Sequence, residues 1–205
     1  MSVRVKICGV TTVEDGVMCA AAGADAIGLN FWSGSARRVA PERARAIVRA
    51  LPSTILKVGV FVDAGRARIE ETIAAVGLDA IQLHGDETPE ECSGFTVKVI
   101  KAIRVAEGGE GLVSVAERFA VDYILLDADA GASYGGSGRT FDWSRTTGVA
   151  PGRLFVAGGL RPENVAAAVR TARPYAVDTA SGVESAPGKK DAERVREFIH
   201  HAKHA

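Results

Sequence analysis

The chain carries no excess of either charge, since 25 Lys and Arg balance 25 Asp and Glu. That balance gives nucleic acid no footing, and no polybasic or amphipathic stretch points to a membrane surface. An anionic ligand would have to be met locally, by a few arginines and by backbone N–H groups. Cysteine is scarce. Cys8, Cys19 and Cys92 are an odd number without paired metal-ligand spacing. This argues against a disulfide framework or a zinc site and fits a reducing compartment. Long apolar runs are also missing. No window approaches the roughly 18 consecutive apolar residues of a membrane span, and the N-terminus has no signal-peptide stretch. The expectation is a soluble, cytoplasmic chain without a metal. The tail His200-His201-Ala202-Lys203-His204 reads as a frayed helix end, because nothing nearby adds carboxylate or thiolate ligands.

What is present is alternation. Short apolar runs fall at 3–8, 26–31, 55–61, 80–83, 97–103, 123–126, 154–157 and 175–179. Apolar on nearly every residue, they read as parallel strands covered on both faces. Segments of helical period lie between them at 13–22, 41–50, 67–76, 112–119, 162–171 and 191–202. Pro41 and Pro162, each followed by Glu, are placed in first helical turns. Residues 89–92 and 142–147 read as short helices at best.

Strands and helices in this alternation match the count of a (β/α)8 TIM barrel. An open doubly wound sheet generally uses about five or six strands and opens with a glycine fingerprint after the first. Cys8-Gly9-Val10-Thr11-Thr12 contains no such fingerprint. No linker divides the chain, so residues 1–205 are expected to form a single α/β domain, a parallel eight-stranded barrel of the phosphate-binding type.

Active sites of such barrels sit at the C-terminal ends of the strands. The residues expected there are Cys8, Arg37 in the loop after the second strand, His84, Asp127, Gly158-Gly159, Asp178 and Ser181-Gly182. A thiol and a carboxyl at one end of two parallel strands can act as a base and an acid across a pocket. Backbone N–H groups freed by glycine turns after strands seven and eight attract a dianion without net positive charge. The loop 128–140, with Gly131, Gly135, Gly136 and Gly138, has the composition of a segment that folds over a ligand. Each feature also has a plain structural reading. A lone cysteine is usually a small core residue. Asp127 is a candidate helix cap, His84 a loop hydrogen-bonder, the glycines tight turns, and Arg37 and Arg38 surface charges. Their shared place at one end of one barrel favours the functional reading.

The chain resembles the phosphoribosylanthranilate isomerase family of tryptophan biosynthesis from Val5 to about Asp191. The resemblance rests on ordered motifs. They are Lys6-Ile7-Cys8-Gly9, Gly28-Leu29-Asn30-Phe31 with Ser35-Ala36-Arg37, Val58-Gly59-Val60-Phe61 and Gln82-Leu83-His84-Gly85-Asp86-Glu87. Then follow Leu125-Leu126-Asp127, 135–143, Ala157-Gly158-Gly159-Leu160 with Asn164-Val165, Val177-Asp178, Ser181-Gly182-Val183-Glu184 and Gly188-Lys189-Lys190-Asp191. Two positions depart from the family pattern: Ala36 stands where proline is usual, and Ala180 where serine is common.

The resemblance implies a phosphorylated small-molecule substrate and an Amadori rearrangement. Asp127, partly protonated in a cleft of low dielectric, would protonate the ribose ring oxygen, and Cys8 as thiolate would take the proton from C2. No cofactor is implied, because the substrate's own nitrogen is the electron sink. Arg37 would meet the anthranilate carboxylate. The backbone of Gly159, Ser181 and Gly182 would hold phosphate, with Gly158 in the same turn. Asp178 would meet ribose hydroxyls or order the phosphate loops, and His84 would line the pocket. Monomer and homodimer both remain open. A histidine-pathway isomerase would carry an aspartate in place of Cys8. An indole-glycerol-phosphate synthase would need a longer chain and other machinery. A silent phosphosugar-binding barrel would lack the acid or the base.

Overall fold

In the computed structural model, which describes residues 2–106, 111–128 and 140–205, the apolar runs become one closed parallel barrel with its strands in sequence order. They are β1 (Arg4–Cys8), β2 (Ala26–Asn30), β3 (Leu56–Phe61), β4 (Ala80–Leu83), β5 (Lys98–Val105), β6 (Tyr123–Ala128), β7 (Leu154–Val156) and β8 (Ala176–Thr179). The α-helices of the described residues are α1 (Val13–Ala21), α2 (Pro41–Ala50), α3 (Arg66–Val76), α4 (Leu112–Glu117) and α5 (Val165–Ala172) between strands, and α6 (Ala192–Lys203) after the last.

Side chains alternate across each strand, and this sorts the core in two. Ala26, Val58, Ala80, Ile100, Leu125, Phe155 and Ala176 pack inside the barrel. Their neighbours Ile27, Ile81, Ile124, Leu126 and Val177 pack outward with Ile47, Ile69, Val165 and Phe198 of the helices. The small residues of the inner cluster leave room for the polar inward residues one layer higher.

Local chemistry explains the helix ends. Thr12 accepts from Asp15 N–H at 3.1 Å and caps α1, and Pro41 opens α2. Asp191 accepts from Glu193 and Arg194 N–H at the start of α6.

Several expectations need correction. Pro162 lies ahead of α5, which begins at Val165, because Asn164 Oδ1 accepts from Arg161 N–H and holds a turn there. Residues 89–92 form turns, with Cys92 N–H donating to Thr88 C=O, whereas the short helix expected at 142–147 is present as the 3-10 helix Trp143–Thr146. The histidine tail is no frayed end. α6 runs through Lys203, and His201 Nδ1 lies 2.8 Å from Pro162 O. A hairpin unforeseen in the sequence follows β8, formed by the antiparallel pair β9 (Glu184–Ala186) and β10 (Lys189–Lys190).

Candidate active site

The inward alternation of β1 places Lys6 and Cys8 on one face, with Cys8 at the mouth. Here a cavity of about 380 Å³ opens, lined by Cys8, Arg37, Gln82, His84, Asp127, Gly158, Gly159, Asp178 and Ser181 among others. Eight of the nine expected site residues therefore line one cavity, Gln82 being the addition. Because β7 and β8 lie between β6 and β1 in the closed sheet, their glycine turns sit between Asp127 and Cys8.

Gly182 is the exception. It lies in the 3-10 turn Ser181–Val183, and a Cβ there would come 1.9 Å from Leu160 O. Its missing side chain makes room for the Leu160 backbone. Gly158 and Gly159 adopt φ of 84° and 59°, a region favouring glycine. A Cβ on Gly158 would lie 2.9 Å from Asp127 Oδ1. Among the described residues, none accepts from the N–H groups of Gly158, Gly159 or Ser181. Of the loop 128–140 expected to cover the site, residues 129–139 lie outside the described residues, Gly131, Gly135, Gly136, Gly138 and Arg139 among them.

Cys8 rests on buried charge. Lys6 is fully buried and its Nζ donates to Asp178 Oδ1 at 2.8 Å. A Cβ at Gly28 would lie 2.7 Å from Cys8 Sγ and 3.1 Å from Lys6 Nζ, so this glycine lets thiol and ammonium share one space. Burial pushes the Cys8 thiol up from its ordinary range; the Lys6 charge pulls it back, Asp178 adds to the rise, and Lys190 lowers it from further off. Cys19 has no such pair of cations, and burial takes it up to about 12.

Arg37 is no free surface charge. Its Nε and Nη2 both donate to Glu184, the latter at 2.7 Å, while the neighbouring Arg38 is exposed. Gly9, at φ 70°, leaves room for the Arg37 stem, which a Cβ would meet at 2.5 Å. Lys190 Nζ donates at 2.8 Å to Glu184 Oε1, the oxygen that also accepts from Arg37 Nε. Burial alone would raise Glu184, yet hydrogen bonds from Arg37 and the charge of Lys190 bring it below its ordinary value. Lacking proline at 36, the loop is held by Arg37 N–H donating to Ser35 Oγ. At the other departure, Ala180 lines the cavity, and the adjacent Thr179 hydroxyl is turned away to Leu160 O.

Across the mouth, His84 Nε2 lies 3.2 Å from Asp127 Oδ2, and Gln82 Nε2 lies 2.8 Å from His84 Nδ1. Among the described residues no cluster of His, Cys, Asp and Glu could hold a metal ion. Neither Lys6, Gln82, Glu184 nor Lys190 had been singled out from the sequence. The available signal was spacing by two, which pairs Lys6 with Cys8 and Gln82 with His84 on one face.

Known proteins share this arrangement of barrel and sequence. The family described as N-(5'-phosphoribosyl)anthranilate (PRA) isomerase matches residues 5–201. The N-(5'-phosphoribosyl)anthranilate isomerase of Myxococcus xanthus is 52% identical over 208 residues, covering 99% of this chain and 97% of its own. The crystal structure of the Thermotoga maritima phosphoribosyl anthranilate isomerase superposes with a TM-score of 0.87 at 41% identity, covering 99% of this chain and 100% of that one. A phosphoribosyl anthranilate isomerase in complex with reduced 1-(O-carboxyphenylamino)-1-deoxyribulose 5-phosphate superposes with a TM-score of 0.84 at 39% identity, over 99% and 100% of the two chains. By full-length sequence and by fold, the chain belongs to the N-(5'-phosphoribosyl)anthranilate isomerase family.

Proposed function

We propose that Cys8 and Asp127 are the base and the acid with which this isomerase of tryptophan biosynthesis rearranges N-(5-phosphoribosyl)anthranilate. The observation that carries the assignment is their place on opposite sides of one cavity, with the glycine turns of β7 and β8 between them. Asp127 donates a proton to the furanose ring oxygen. The anilino nitrogen pushes its lone pair toward C1, the C1–O bond breaks, and an iminium forms. Cys8 as thiolate then takes the C2 proton, and those electrons flow to the iminium nitrogen to give an enolamine. Proton transfer from the C2 hydroxyl to C1 gives the ketone, 1-(2-carboxyphenylamino)-1-deoxyribulose 5-phosphate. Each proton transfer needs a group within hydrogen-bond reach of its atom.

The remaining assignments follow the charges. The phosphate sits on N–H groups of Gly158, Gly159 and Ser181, with Gly182 shaping the turn behind them. Arg37 has its Nε edge on Glu184 and turns Nη1, without a partner among the described residues, to the anthranilate carboxylate. Asp178, held by Lys6, faces the ribose hydroxyls, and His84 supports Asp127. No helix of the described residues is long and apolar enough to cross a membrane, and a cytoplasmic location agrees with three free cysteines. Loss of substrate fluorescence, followed with freshly prepared phosphoribosylanthranilate and purified protein, tests the function. A rate no faster than the spontaneous loss contradicts it.

A further inference from the structure

Two buried polar atoms of the cavity have no hydrogen-bond partner among the described residues: Gln82 Oε1 and His84 Nε2. Gln82 lies in β4 and His84 directly follows it, two residues apart and on one face. Gln82 is 1% exposed and lines the cavity. A carbonyl oxygen so placed is costly to bury unless something in the cavity donates to it.

The rest of the geometry gives the pair a direction. Gln82 Nε2 lies 2.8 Å from His84 Nδ1. With the amide N–H as donor, Nδ1 must accept, and the ring proton sits on Nε2. Nε2 faces Asp127 Oδ2 at 3.2 Å, within reach but off the line of a hydrogen bond. Such bonds commonly tighten when substrate binds. The other carboxylate oxygen, Oδ1, points to the β7 turn, where a Cβ on Gly158 would approach it to 2.9 Å. One carboxylate oxygen thus faces the imidazole and the other faces the glycine turn.

We propose that Gln82 is a positioning residue for the acid. It holds His84 in the Nε2–H form, so that the ring donates to Asp127, and it offers Oε1 to an O–H or N–H of the bound aminoaldose. This rests on the acid role assigned to Asp127. A fixed buried acceptor also selects, because a ligand without the matching donor leaves it unpaired.

Nitrogen-15 NMR of imidazole-labelled protein, with His84 assigned by comparison with His84→Asn, reads the tautomer without recourse to activity. The expected result is an unprotonated Nδ1 and a protonated Nε2, with that preference lost in Gln82→Leu. A protonated Nδ1 in the unsubstituted protein, alone or as imidazolium, overturns the proposal. In kinetics, Gln82→Leu and Gln82→Met should lower kcat by roughly tenfold, about one hydrogen bond's worth, and raise KM. Gln82→Glu, which keeps the shape but loses the amide donor, should lower kcat similarly. In an Asp127→Asn background, Gln82→Leu should lower kcat little further while the KM rise persists, since its kcat effect passes through the acid. Unchanged kcat and KM in both apolar variants, or a full multiplicative kcat loss in that background, contradicts it. Near-normal turnover of Asp127→Asn alone defeats the acid assignment instead, and leaves the His84 tautomer as a separate reading. If Gln82→Leu melts early, Gln82→Met and the spectrum of the unsubstituted protein still decide.

Discussion

Lys6 and Asp178 are register partners across the β1–β8 ladder, and Lys6 Nζ donates to Asp178 Oδ1 at 2.8 Å inside the barrel. The pair lies directly beneath Cys8. Lys6→Met would leave Asp178 buried without its cation, a change that typically costs about 3–5 kcal/mol. Thermal melting should show this, and Lys6→Met with Asp178→Asn should recover part of the loss.

With Cys8 as the proposed base, the same lysine bears on the pH dependence. Burial raises the Cys8 thiol, so the thiolate fraction, and with it kcat/KM, should still be rising with pH near the ordinary thiol value of 9.0. Removing the Lys6 charge removes a stabiliser of the thiolate. The rising limb in Lys6→Met should therefore move to higher pH. A limb that stays in place or moves down would separate Lys6 from the base.

Arg37→Ala should raise KM more than it lowers kcat, because in the proposed assignment it binds a substrate carboxylate that does not react. Arg37→Lys should rescue only partly, since an ammonium cannot hold Glu184 and a second carboxylate in one planar fork. Initial rates across substrate concentrations decide, and an unchanged KM in both variants would move the carboxylate contact elsewhere.

Glu184 predicts acid sensitivity. Its carboxyl is held below its ordinary value of 4.5. A depressed acid contributes stability that is present above the unfolded value and is lost as pH falls through the folded one. The melting-temperature gap between the unsubstituted protein and Glu184→Gln should shrink steadily as pH drops below 4.5. A gap that holds constant through that window would deny the linkage.

Inorganic phosphate should raise the melting temperature and inhibit competitively, by about 2.7 kcal/mol of stabilisation at a hundredfold excess over Kd. Gly159→Val should abolish both effects, because φ of 59° is strained for a branched residue. Gly182→Ala should lower the melting temperature with or without phosphate, since its Cβ meets the Leu160 carbonyl. Phosphate stabilisation that survives Gly159→Val would place the anion elsewhere.

Much of this was legible in the chain. All eight barrel strands lie where the apolar runs fall, because strands covered on both faces are apolar at most positions, and the few polar residues do not hide the pattern. Cys8 and Asp127 stood out as reactive groups ending such runs. Lys6 did not, since one charge inside an apolar run looks like an interruption until a partner is known, and Asp178 lies 172 residues away. Arg37 and Glu184 are 147 residues apart and meet only once the barrel closes. Gly182 illustrates a different limit: a glycine in sequence does not reveal whether its missing Cβ makes room for a ligand or for the Leu160 backbone.

The most direct test of the account is turnover of phosphoribosylanthranilate by Cys8→Ala and Asp127→Ala beside the unsubstituted protein, with circular dichroism on the same samples. General acids and bases typically contribute about 10²–10⁴-fold. The account predicts that each substitution lowers kcat within or beyond that range while the spectrum is unchanged. Near-normal turnover in either folded variant would contradict the acid–base assignment.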